Sequence, residues 1–108
     1  MPTMNEIYMV IGALLQINAP ANKGISKTFQ FEIGGSDPLD FFFKLEDGVP
    51  TTGLGKTDRP DVTLIMSSDT FMKLVEKKLN KPLAFITRKL RIKGDRKLAM
   101  QLDTILKR

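Results

Sequence analysis

The segment Pro50 to Thr57, PTTGLGKT, ends in the Gly-Lys-Thr of a phosphate-binding loop. Such a loop cradles phosphates with its backbone N–H groups and its lysine; it needs a further glycine five residues before Gly55 and a helix behind it. Pro50 stands where that glycine is required, and Asp58-Arg59-Pro60-Asp61 breaks a helix. The stretch therefore reads as a glycine-bearing strand end and turn. Carboxylates are the next candidates. Acid–base work needs two carboxyls in one cleft with pKa values pushed apart. Most of the twelve Asp and Glu fall instead at caps, turns or polar strand faces, and Asp58 and Asp61 make one weak cation-holding pair beside a proline turn. The chain has no histidine and no cysteine. That excludes imidazole triads, thiol nucleophiles, disulfides and the commonest zinc sites. No enzyme chemistry, metal or cofactor is expected.

The cations raise a different possibility. Arg88 to Leu102, RKLRIKGDRKLAMQL, carries six Lys or Arg in fifteen residues, and the overall charge is +5. Residues 68–108 hold a net +8 and residues 1–67 a net −3, so an anionic partner, nucleic acid or membrane headgroups, would meet the C-terminal part. Single-strand binders interleave cations with exposed aromatics that stack on bases. Here every Phe except Phe42 falls on an inward-reading face, Trp is absent and Tyr8 stands alone. Phosphate attraction by itself supplies non-specific affinity. A nonspecific nucleic-acid-binding basic domain is thus the alternative rather than the leading reading, and no nucleic acid is expected. What remains is an interior of seven Phe and six Met, flexible and polarisable enough to mould around variable shapes.

These residues must be placed by elements. At 108 residues, with 42% apolar and 27% charged, the chain reads as one globular domain over residues 1–108. No apolar run approaches the roughly eighteen residues of a membrane span. The start shows no basic leader with an apolar block, so no secretory signal is expected. The end, Leu-Lys-Arg rather than Ser-Lys-Leu, makes a cytoplasmic location the expectation over a peroxisomal one. Thr3-Met4-Asn5-Glu6 fits a capping box, after which Ile7, Val10, Ile11, Leu14 and Leu15 recur at helical spacing until Pro20. Residues 19–26 read as a loop. Phe29, Phe31 and Ile33 alternate with Thr28, Gln30 and Glu32; Phe41, Phe43 and Leu45 alternate with Lys44 and Glu46. Phe42 breaks that pattern and is expected to sit under another element. Asp47-Gly48 is a hairpin turn into a short strand from Val49 to about Leu54, and Val62, Leu64 and Met66 mark a fourth strand.

The second half turns helical. Ser67 or Ser68 caps a helix with Asp69 in its first turn and an apolar stripe of Phe71, Leu74, Val75 and Leu79. Asn80 stops it, and Pro82 starts another carrying Phe85 and Ile86. Leu90 and Ile92 alternate with Arg91 and Lys93 as a fifth strand. Gly94 then turns the chain, Asp95 caps, and Leu98, Leu102, Ile105 and Leu106 line a last helix. The expected fold class is α+β: a five-stranded, mostly antiparallel sheet with helices covering one face.

The run Phe85 to Leu102, FITRKLRIKGDRKLAMQL, resembles the sterol carrier protein type-two family of nonspecific lipid-transfer domains. The family's run there is a Phe, a Gly-Lys-Leu, a short Lys-Ile-x-Gly-Asp/Asn strand and turn, and a Leu-Ala-x-x-Leu helix. PDVTLIMSSDTFMKL (Pro60 to Leu74) is similar to its Ala-Asp-x-Thr-Leu-x-Met-Ser strand and Phe-x-x-Leu helix, and DFFFKLEDG (Asp40 to Gly48) to its aromatic-led strand. Arg88 and Lys77 stand where the family often has glycine, and Phe41 where it usually has Trp. The resemblance implies an apolar lipid tunnel between one sheet face and the helices, with the last helix as wall.

Walls suited to that tunnel are Phe31, Ile33, Phe41, Phe43, Leu64 and Met66 from strands, with Phe71, Leu74, Val75, Phe85 and Ile86 from the central helices. Leu90, Ile92, Met100, Leu102, Ile105 and Leu106 would complete them, Met100 lying off the main stripe of its helix. The implied ligand is a fatty acid, acyl-CoA, sterol or phospholipid, carried between membranes or to enzymes. Lys89, Arg91, Lys93, Arg96, Lys97, Lys107 and Arg108 would dock transiently on an anionic membrane surface. A second alternative is an accessory module that keeps the fold for partner contact.

Overall fold

The computed structural model describes residues 2–76 and 88–107. Thr3 opens α1 (Met4–Ile17) as the capping box predicts: its hydroxyl accepts from Glu6 N and the Glu6 carboxylate accepts from Thr3 N, each at 3.1 Å. Asp37 reaches across from a turn to take Met4 N at 2.8 Å. The helix buries Met4, Ile7, Ile11 and Leu15 against the sheet.

Strands β1 (Thr28–Gly34), β2 (Leu39–Glu46) and β3 (Val49–Leu54) form an antiparallel meander. The β2–β3 turn needs positive φ at both central residues, and Asp47 (φ 50°) and Gly48 (φ 83°) supply it. Glycine is required at the second position for a further reason: a Cβ there would lie 2.7 Å from the Ala19 carbonyl oxygen. β4 (Val62–Ser67) is not another hairpin partner. It crosses back to lie parallel beside β1, pairing Phe29 with Val62 and Ile33 with Met66. β5 (Arg91–Gly94) runs antiparallel on the outside of β4, giving the order β3-β2-β1-β4-β5. The sheet is therefore mixed but mostly antiparallel, and the fold is α+β.

Gln30 secures the crossover. It is an outward residue by alternation, yet it is 2% exposed. Its amide nitrogen donates to the Phe41 and Gly55 carbonyls at 3.0 Å, and its oxygen accepts from Thr57 N at 2.8 Å. The PTTGLGKT stretch thus ends as a strand and a strap across the outer sheet face, with no helix behind it. Asp61 accepts from Thr28 N at 2.7 Å, a β1-anchoring role rather than half of a cation pair with Asp58. Phe42 is also on the outer face, opposite Gln30 in the β1–β2 register. Its ring covers Gly53, where a Cβ would come within 2.3 Å of it, so the missing side chain on β3 is what makes room.

Helix α2 (Ser68–Val75) is capped by Ser67, whose hydroxyl accepts from Thr70 N at 3.1 Å. Helix α3 (Arg96–Lys107) is capped by Asp95, which accepts from Leu98 N at 3.0 Å. Leu79, Asn80, Pro82, Phe85 and Ile86, expected to end one helix and build the next, lie outside the described residues. Under α1, Phe31 stacks on Phe41 (ring centroids 4.9 Å), Tyr8 sits 5.3 Å from Phe41 and 5.7 Å from Phe43, and Phe71 is 5.7 Å from Phe31. Tyr8, which stands alone in sequence, therefore completes an aromatic cluster. No helix among the described residues is long and apolar enough to cross a membrane.

Candidate functional site

The Phe-rich half of the inner sheet face, on β1 and β2, is filled by that cluster. The other half carries shorter aliphatic side chains, and there the helices and the sheet do not close on one another. A cavity of about 420 Å³ lies between them. Its floor is Phe31 of β1, Leu64 and Met66 of β4 and Ile92 of β5, with Leu90 just ahead of that strand. Ile7, Val10, Ile11 and Leu14 of α1 make one wall, Phe71, Leu74 and Val75 of α2 a second, and Ala99, Met100, Leu102 and Leu106 of α3 a third. It opens where Val10, Leu14, Val75 and Met100 reach the surface. Among the described lining residues only Glu6 and Asp103 carry a charged or hydrogen-bonding side chain. A smaller hollow of about 290 Å³ between α1 and β3 mixes Tyr8, Gln16 and Thr52 with Met9 and Pro50.

Chemically the larger cavity can do one thing well, which is to take hydrocarbon out of water. Its described lining holds no nucleophile beside a base and no cation. Among the described residues no three metal-ligating side chains come together.

The α3 wall is tied at both ends. At its start Asp95 N donates to the Asp61 carbonyl at 3.0 Å. At its finish the side-chain amides of Asn18 and Asn22 donate to the Leu106 and Ile105 carbonyls at 2.8 and 3.0 Å. These are helix-terminal carbonyls that lack an intrahelical partner. Asn22 is fully buried, and its Oδ1 has no hydrogen-bond partner among the described residues.

Of the expected wall residues, Phe31, Leu64, Met66, Phe71, Leu74, Val75, Leu90, Ile92, Met100, Leu102 and Leu106 border the cavity. Ile33, Phe41, Phe43 and Ile105 lie instead in the packed core, where other side chains enclose them. Phe85 and Ile86 lie outside the described residues. The α1 wall and Ala99 were missed by sequence reasoning. A signal existed: Val10 and Leu14 widen the α1 apolar stripe beyond what one sheet contact covers, and both are exposed. Of the cations, Lys89, Arg91, Lys93, Arg96 and Lys97 are all exposed. Arg91 pairs with Ile65 and Lys93 with Thr63, so both stand on the outer sheet face, opposite the cavity. The side chain of Lys107, and Arg108, lie outside the described residues.

A five-stranded mixed sheet with helices on one face and an oily hollow between the layers defines the sterol-carrier class of α+β fold. The SCP-2 sterol transfer family matches residues 11–107, and the chain belongs to that family. It is similar to hydroxysteroid dehydrogenase-like protein 2 of Xenopus tropicalis, 33% identical over 104 residues, which are 95% of this chain and 24% of that one. The chain thus spans about a quarter of that relative's length. Among solved structures, apo sterol carrier protein 2 from Yarrowia lipolytica matches with a TM-score of 0.73 at 28% identity, covering 94% of this chain and 87% of that one. Sterol carrier protein 2 from Aedes aegypti, solved in complex with the C16 fatty acid palmitate, shares the fold with a TM-score of 0.73 at 19% identity, covering 98% and 96%.

Proposed function

We propose that this chain binds one lipid in the cavity between sheet and helices and carries it through water between membranes or to enzymes. The observation that carries the reading is the apolar lining of the 420 Å³ hollow. Burying about fourteen methylenes at ~0.8 kcal/mol each supplies roughly 11 kcal/mol gross, and ordering removes several kcal/mol of it. A bilayer offers the same methylenes a similar home, so exchange between the two is near neutral, which a carrier requires. The Aedes aegypti neighbour's palmitate supports a fatty acyl ligand. The dehydrogenase-like name is that of relatives of which this chain spans about a quarter, and a cytoplasmic setting suits the carrier reading. Native mass spectrometry of freshly purified protein should show a co-purified lipid that a fluorescent fatty acid displaces. A lipid-free protein that gives no saturable titration overturns the proposal.

The exposed cations suit attraction to anionic headgroups at about 1 kcal/mol per close charge. Because Arg91 and Lys93 face away from the cavity, that attraction concentrates the protein near a membrane, and lipid entry is a separate step. Reversing Arg91, Lys93 and Lys97 to Glu should slow transfer to anionic vesicles severalfold and spare ligand affinity. Equal slowing with neutral vesicles would count against docking.

A further inference from the structure

We infer that the open rim of β3 is a self-pairing surface, on which a second copy of this chain lays its own β3 antiparallel and doubles the sheet. The strand order puts β3 at one rim and β5 at the other. Gly55 N donates to the Asp40 carbonyl at 2.8 Å, and residues along an antiparallel strand alternate in which side their peptide groups bond. Val49, Thr51 and Gly53 therefore turn their peptide groups to β2, while Pro50, Thr52 and Leu54 turn theirs outward. Among the described residues the outward N–H and C=O of Thr52 and Leu54 meet no partner. Helix α1 comes down on Thr52 at Gly12, where a Cβ would lie 3.4 Å from its methyl group, yet Leu54 stays 59% exposed. The segment outside the description is bracketed by Glu76, which ends a helix packed on β1 and β4, and by Arg88 just ahead of β5, both toward the opposite rim.

The two rims are guarded differently, and the difference points to the occupant. Single proteins blunt an open strand edge with charge, above all lysine. β5 carries Arg91 and Lys93 in its four residues, whereas β3 carries no charged side chain. Beside it on β2, Lys44 and Glu46 offset each other at 3.4 Å. Two copies of a chain of net charge +5 repel at the β5 rim and meet no like charge along β3 itself. Joined there, they hold the strand cations at opposite ends of the doubled sheet. The strand also matches itself, as a two-fold contact requires. With Gly53 opposite Gly53 of the second copy, each Thr52 exchanges its N–H and C=O bonds with Leu54 of the other copy. Pro50, which has no N–H to offer, falls outside those pairs. On the outer face neither Gly53 brings a side chain to the axis, and the Phe42 rings that lie over them close on it from both copies. A foreign charged strand finds no counter-charge on β3 to select it.

The test is the mass of the intact chain by sedimentation equilibrium from about 1 µM to about 1 mM, the span of modest affinities. The mass should climb from one chain to two and level there. Leu54→Lys puts a charge on the rim, and Thr52→Pro removes an outward donor while sparing the bonds to β2. Each should raise the dissociation constant at least about tenfold, with circular dichroism showing the fold retained. If the proline variant fails to fold, the lysine variant decides. Amide exchange reads the register: on concentrating the protein, the Thr52 and Leu54 N–H groups should slow severalfold, and those of Thr51 and Gly53, already bonded to β2, far less. A mass that stays at one chain over the whole range overturns the proposal, even if the rim takes up some other extended peptide. A dimer whose dissociation constant moves in neither folded variant also overturns it, because that dimer forms through another face. Lipid binding is untouched by either result, since no β3 residue lines the larger cavity.

Discussion

Ala99→Trp is expected to weaken lipid binding by about fiftyfold or more while leaving the protein folded. Ala99 is 3% exposed and borders the cavity from α3, so a larger side chain at this position has an apolar hollow to enter. If the indole displaces only three methylenes of the ligand, at ~0.8 kcal/mol each, affinity falls by ~2.4 kcal/mol, roughly fiftyfold. Filling the hollow also removes a cavity penalty of about 24 cal/mol per Å³ filled, so Tm should hold or rise. Overpacking a closed core would instead cost ~1–3 kcal/mol. The two measurements together decide the matter. Lost binding with an unchanged or higher Tm places Ala99 on a ligand wall, whereas a lower Tm with intact binding would show that the lipid sits elsewhere.

Phe41→Ala should be the most destabilising single change on the inner sheet face. Its side chain is 0% exposed and its ring lies 4.9 Å from Phe31, 5.3 Å from Tyr8, 5.4 Å from Phe43 and 6.0 Å from Phe71. Truncation removes edge and stacking contacts together with a large buried area, at about 3–5 kcal/mol. That is a large share of the ~5–15 kcal/mol of a typical domain. Leu64→Ala, two strands away, faces the cavity on one side and should cost about 2 kcal/mol, the low end for such a truncation. Urea midpoints at constant m-value measure the difference. Equal losses at the two positions would mean that no boundary separates packed core from hollow.

That boundary was the part hardest to see in the sequence. Alternation in Phe41-Phe42-Phe43 tells which face a side chain takes, not how much material stands opposite it. Phe41 and Phe43 therefore look as suited to touch a ligand as Leu64 does. Depth is set by α1, which places Tyr8 over the two phenylalanines and leaves the β4–β5 side uncovered. The same gap hid the α1 wall, because a helical stripe announces burial without naming its partner. Local signals served better. The Thr3/Glu6 box, the Asp47-Gly48 turn and the Ser67 cap all form as read, since their causes lie within a few residues. The placement of β4 beside β1 depends on residues about thirty positions apart, held by Gln30 through the crossover backbone. No periodicity within either strand encodes that neighbour. Phe42 belongs to the same class: its odd position makes sense only beside Gly53, on a different strand.

The amides of Asn18 and Asn22 on the Leu106 and Ile105 carbonyls bear on how this unit can be transplanted. The segment after α1 latches the far end of the final helix, so a cut placed ahead of the first strand would strip one side of the hollow and unfasten another. A graft meant to retain a lipid compartment must bring its leading helix along, together with the two asparagines that follow its last turns.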